Sequence, residues 1–175
     1  MFRFPKFSEV VQVYAVNAFI VNAWVLMWIF WKVPSWMFYL SIGEILALLC
    51  YILATAFLEG LLLGAGVTTV GFILPARWFR DRFVVRGVLV SLFGIAYLIF
   101  FALHVREGEI PDYLVEWLPY IILASFVLTY LLERISLLEK IIGGFSERLT
   151  VFLYFSVPAG VLSLLVVLIR NLGVW

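Results

Sequence analysis

The chain has 175 residues, of which 66% are hydrophobic and only 13% charged, and its mean hydropathy is +1.15. A water-soluble domain is about 45–50% apolar and about 25% charged, and a fold of this size keeps too much surface exposed to hide the surplus. The net charge of +1, without a long basic run, leaves no footprint for nucleic acid. Composition therefore predicts an all-α, polytopic integral membrane helical bundle forming a single domain over residues 1–175.

The N-terminal segment begins with Arg3 and Lys6 and runs into apolar sequence. The apolar run is too long for a cleaved leader, so residues 10–31 are predicted as the first span. Trp28, Trp31 and Trp36 flank its far end, where amphipathic rings prefer the interface. Lys32 to Ser35 reads as a tight connector, with the second helix starting near Pro34 and running over residues 36–58. Glu59-Gly60 interrupts the pattern, and residues 61–76 form a short apolar run weakened by Gly64, Gly66 and Gly71 and closed by Pro75. Residues 84–105, 113–132 and 149–169 complete the predicted spans. Between the last two, residues 133–148 alternate Ile135, Leu138, Ile141, Ile142 and Phe145 with Glu139, Lys140 and Glu147, the pattern of an amphipathic helix in the interface plane.

The short run over 61–76 controls the topology. If it crosses, there are six spans and the termini share one side. If it dips and returns as a re-entrant segment, there are five, and the Lys and Arg residues divide nine against three. Six spans are expected, with five plus a re-entrant 61–76 as the alternative. Enrichment of Lys and Arg in cytoplasmic loops gives both arrangements a cytoplasmic Arg77–Arg86 connector and a non-cytoplasmic C-terminus. The expected location is a plasma (inner) membrane.

Glu44 is the polar residue singled out for chemistry. In a span beginning near Trp36 it lies about two turns inside the bilayer, where a carboxylate costs on the order of 3 kcal/mol. A hairpin of the first two helices would set it beside Asn22, with Asn17 on the same stripe. The site so assembled, Glu44, Asn17, Asn22, Thr68 and Thr69, would hold a substrate or lock helices together through hydrogen bonds. Glu59 reads as a gate residue at the mouth of the glycine run or as a carboxylate favoured at a helix N-terminus. Gly60-x-x-x-Gly64 has the spacing that lets membrane helices approach closely. Arg77, Arg80, Arg82 and Arg86, interleaved with Trp78, Phe79 and Phe83, form a basic-aromatic belt suited to anionic lipid headgroups or to a docking partner.

Cys50 and His104 are the only residues of their kinds. No metal and no cofactor is expected from them. No catalytic residues are nominated, because HExxH, GxSxG and P-loop patterns are absent from the sequence. The expected function is a non-catalytic membrane subunit or scaffold that binds a partner membrane protein or a second copy. One alternative is a small-solute carrier or substrate-binding component using the Glu44 site. Another is a membrane-anchoring module for an exported enzyme.

Overall fold

A computed structural model describes residues 5–75, 79–105 and 111–173. The protein is all-helical over these residues. Helix α1 is Phe7–Trp36 and α2 is Ile42–Ile73. A 3-10 turn at Arg80–Arg82 leads into α3, Phe83–His104. Helix α4 is Asp112–Leu132, α5 is Ser136–Leu149, and a second 3-10 turn at Thr150–Phe152 joins α5 to α6, Leu153–Asn171. Among the described residues five helical runs are long and apolar enough to cross a membrane, with α5, its following turn and α6 taken together as the fifth.

The six-span count is not confirmed. Residues 36–58 and 61–76 are not two elements: α2 runs unbroken through Glu59-Gly60 for 32 residues, and residues 61–73 neither cross separately nor turn back. Glycine weakens an isolated helix by about 1 kcal/mol, but opening the backbone in hydrocarbon costs several kcal/mol for each unsatisfied group. The second term wins. The Lys32–Ser35 connector is also absent as such. Helix α1 carries Pro34 in its last turn and ends at Trp36, and the chain reverses over residues 37–41.

Helix α1 is the hub. It packs against α2, α3, α5 and α6, while α2 also packs against α6, and the principal neighbour of α4 is α3. Small residues make the closest approaches, as expected where lipid is as apolar as the side chains and association rests on packing. A Cβ on Gly60 would lie 3.7 Å from the Cα of Ala18, and one on Gly64 would lie 3.2 Å from the Tyr14 ring. These two contacts set the antiparallel register of α1 and α2. A Cβ on Gly87 would meet Val13 at 3.0 Å and Val67 at 3.2 Å, which ties α3 to both. Gly160 lets α6 press against Phe57, whose ring lies 2.6 Å from where a Cβ would be. Around the Gly87 contact, Val13, Val16, Val67, Phe79, Phe83, Val88 and Ile142 form the buried apolar cluster.

Helix α5 lies where the sequence expects an amphipathic connector. Ile142 and Ser146 are buried against the bundle, while Leu137, Ile141 and Phe145 are exposed along one side and Lys140 and Glu147 along another. Phe19 of α1 holds it by edge-to-face contacts with Phe145 and with Phe152 of the following turn.

These contacts predict a contrast among glycines. Gly64→Leu and Gly160→Leu should each lower thermal stability in detergent by about 1–3 kcal/mol through overpacking. Gly94→Leu, where no atom lies within 4 Å of an added Cβ, should leave the melting temperature unchanged.

Candidate functional site

The Glu44 site does not assemble. Because α2 starts at Ile42, Glu44 is in its first turn, exposed, and engaged in a cap. Its carboxylate accepts hydrogen bonds from the Ser41 backbone N–H and hydroxyl, both at 2.8 Å, and its own N–H donates to Ser41 Oγ at 3.4 Å. The antiparallel register puts it near Pro34 of α1, not near Asn22. The signal was in the sequence: Ser41-Ile-Gly-Glu44 ahead of an apolar run is a capping box.

The other members of that predicted site are dispersed. Asn22 donates to the Ala18 carbonyl at 2.7 Å. Asn17 is fully buried one turn beyond Val13, and neither of its amide atoms has a hydrogen-bond partner among the described residues. Thr68 and Thr69 donate to the carbonyls of Gly64 and Ala65 at 2.7 and 2.8 Å, so both hydroxyl protons are committed within α2. An enclosed cavity between α1, α2 and α6, bounded by Tyr14, Asn22, Phe57, Ser156 and Gly160, has about 10 Å³ of free volume. That is room for about one water molecule. A larger groove of about 510 Å³ opens outward between α1 and α2, and its lining, including Val10, Leu61, Gly64, Thr69 and Phe72, is predominantly apolar.

The arginine belt divides. Arg77 lies outside the described residues, and Arg80 belongs to the turn before α3. Arg82 donates to the Glu133 carbonyl at 2.8 Å and pairs with Glu139 of α5 at 3.3 Å. Arg86 is buried and forms a bidentate ion pair with buried Glu133, Nε to one carboxylate oxygen and Nη2 to the other at 2.8 Å. The Tyr130 ring lies 6.0 Å from the Arg86 guanidinium and 5.3 Å from that of Arg134. Arg82 and Arg86 therefore fasten α3 to the α4–α5 corner. The cations left exposed on this side include Arg134, Lys140 and Arg148.

Continuity of α2 promotes a different residue. Glu59 is the eighteenth of its 32 residues and is exposed on the outside of the bundle. Its depth follows from the register. Val67, which meets Gly87 next to the Arg86–Glu133 pair, is eight residues away, about 12 Å at 1.5 Å per residue. In the other direction, the contact of Gly60 with Ala18 puts Ala47 level with the exposed ring of Trp31, about 18 Å from Glu59. The two intervals together match a hydrocarbon core about 30 Å thick. Glu59 makes no hydrogen bond or ion pair with another described residue.

The outer face around Glu59 is regular. Thr55, Glu59, Leu62, Gly66, Thr69 and Ile73 are all exposed and recur at alternating steps of four and three. That step pattern is the seam of two helices packed at a shallow left-handed crossing. No described atom lies within 4 Å of an added Cβ at Gly66, and all six residues of the stripe are exposed. Sequence inspection missed the stripe because a break at Glu59-Gly60 divided it between two elements. Comparison with protein-family models, curated proteins and solved structures finds no match to this chain.

The ion pair yields a directional prediction. Glu133→Ala should destabilise the protein by about 3–5 kcal/mol, because it leaves Arg86 buried and uncompensated. Combining it with Arg86→Met should restore most of that loss in the same thermal denaturation measurement, since an apolar replacement of both partners removes the desolvation cost.

Proposed function

We propose that the chain is a non-catalytic integral membrane subunit that assembles with a partner membrane protein through the outer face of α2. The observation that carries this reading is Glu59, exposed midway along α2 on a helix-seam face and without a hydrogen bond or ion pair to another described residue; the register argument puts it near mid-bilayer depth. A carboxyl group against lipid tails is costly even when protonated. Positions of this kind mark a surface that is covered in the assembled state. Solute transport has less support, since the enclosed cavity admits about one water molecule and Glu44 caps a helix.

The orientation follows from charge. With α2 as a single crossing, chain order assigns Arg3, Lys6, Arg77, Arg80, Arg82, Arg86, Arg134, Lys140 and Arg148 to one side. Lys32, Arg106 and Arg170 go to the other. The positive-inside rule makes the first side cytoplasmic, with the N-terminus inside and the C-terminus outside a plasma (inner) membrane. Exposed Arg134, Lys140 and Arg148 beside the apolar edge of α5 suit anionic headgroups on that face.

Mild-detergent purification tests the reading. The wild-type chain is expected to bring down a defined membrane protein in fixed ratio, and Glu59→Leu to lose at least about 90% of it while melting at the wild-type temperature or above. Recovery of a lone wild-type chain from native membranes, or a partner retained in full by Glu59→Leu, contradicts it.

A further inference from the structure

The chemistry of the partner can be inferred one step further, resting on the assembly reading just given. We infer that the Thr55–Ile73 face of α2 receives a transmembrane helix that carries a lysine or arginine at mid-bilayer depth, opposite Glu59.

The first argument is charge complementarity. Glu59 is an acceptor without a donor among the described residues, in a medium that supplies none. Three other acidic groups are provided for: Glu133 by Arg86, Glu139 by Arg82, and Glu44 by the Ser41 cap. Glu59 lies about 12 Å along α2 from the level of the Arg86–Glu133 pair, beyond the reach of Arg86. A cation on a second helix would supply both the donor and the charge, and an ion pair desolvated by lipid is strong enough to set register and partner choice.

The second argument separates this occupant from a second copy of the chain. Membrane insertion fixes orientation, so two copies meeting along this seam have parallel α2 helices. A symmetric parallel seam places each Glu59 against its counterpart, where the two carboxyls can meet only with a proton held between them and neither gains a cationic donor. The other mid-seam groups, Thr55, Gly66 and Thr69, cannot offset that. The hydroxyls of Thr55 and Thr69 donate within α2, to the carbonyls of Tyr51 and Ala65 at 2.9 and 2.8 Å, and Gly66 has no side chain. A basic partner thus satisfies Glu59 more completely than a second copy does, and the two occupants are separated by the test below.

The third argument is shape. The open Gly66 surface lies two turns from Glu59 towards the cytoplasmic end, so a partner helix can come close there. The long stem of a lysine or arginine then spans the remaining gap to the Glu59 carboxylate.

The test uses the full-length chain with Cys50→Ser and Leu62→Cys, a change at an exposed seam position that leaves one thiol in the chain. It is co-expressed with a designed single-span helix of leucine and alanine that bears one central residue and one cysteine four positions from it. With lysine at the centre, the disulfide yield to the introduced thiol is expected to exceed that of a leucine-centred helix at least tenfold, and to fall to the leucine level when Glu59 is replaced by Leu. A glutamate-centred helix should give no more than the leucine control. Equal yields from the lysine and leucine helices overturn the inference. So does absence of any cross-link to the lysine helix, or a dominant disulfide between the introduced thiols of two copies of the chain. If the lysine helix fails while the wild-type chain still co-purifies with a native partner that Glu59→Leu loses, the partner chemistry is wrong and the subunit reading stands. If the wild-type chain comes out of native membranes alone, the subunit reading fails with it.

Discussion

An unbroken α2 is the constraint from which the rest of the molecule follows. In hydrocarbon the backbone must satisfy its own hydrogen bonds, and a helix does this best when it does not stop. A stretch containing Gly60, Gly64, Gly66 and Gly71 would be a poor helix in water. Here Gly60, Gly64 and Gly71 are instead points of close approach, to Ala18 and Tyr14 of α1 and to the Phe79–Phe83 aromatic pair at the start of α3. A 32-residue helix is about 48 Å long, more than half as long again as the apolar core it crosses. The excess carries Glu44 out to the interface and leaves Glu59 at the centre.

Polar groups are sorted by depth. At one end Arg86 and Glu133 neutralise each other inside the protein, and Arg82 extends that network to Glu139 and the Glu133 backbone. At the other end Glu44 and Ser41 close a helix cap, the Lys32 ammonium stacks on Trp31, and Tyr51 bonds Asn171 with the Arg170 guanidinium 5.8 Å from its ring. In between, threonine hydroxyls fold back onto carbonyls of their own helix. Glu59 has none of these provisions, and it stands on the face of α2 whose four-and-three stepping matches a helix seam. Charge, depth and spacing thus coincide at a single residue.

Much of the architecture was legible in the sequence, and the errors in α2 trace to two misplaced helix boundaries. Composition and run lengths gave the membrane class, the spans near α1, α3, α4 and α6, and the amphipathic α5. The Gly60-x-x-x-Gly64 spacing foretold close packing, and Ser41-x-x-Glu44 would have foretold the cap. What misled was helix propensity measured in water, applied to residues 59–60 inside a bilayer. That false boundary split the Thr55–Ile73 stripe in two, and a second one, the start of α2 set near Trp36 instead of Ile42, moved Glu44 inward and paired it with Asn22. The Arg86–Glu133 pair was out of reach for another reason. It joins residues 47 apart, and one sequence offers no way to choose among several candidate partners for a terminal arginine.

The central claim is that Ile42–Ile73 crosses once. It is tested most directly by labelling single cysteines at Ser8 and Gly173, in a Cys50→Ser background, with a membrane-impermeant maleimide on right-side-out and inverted vesicles. A single crossing predicts that Ser8→Cys reacts only from the cytoplasmic side and Gly173→Cys only from the opposite side. Reaction of both from the same side would mean an even number of crossings and contradict the account.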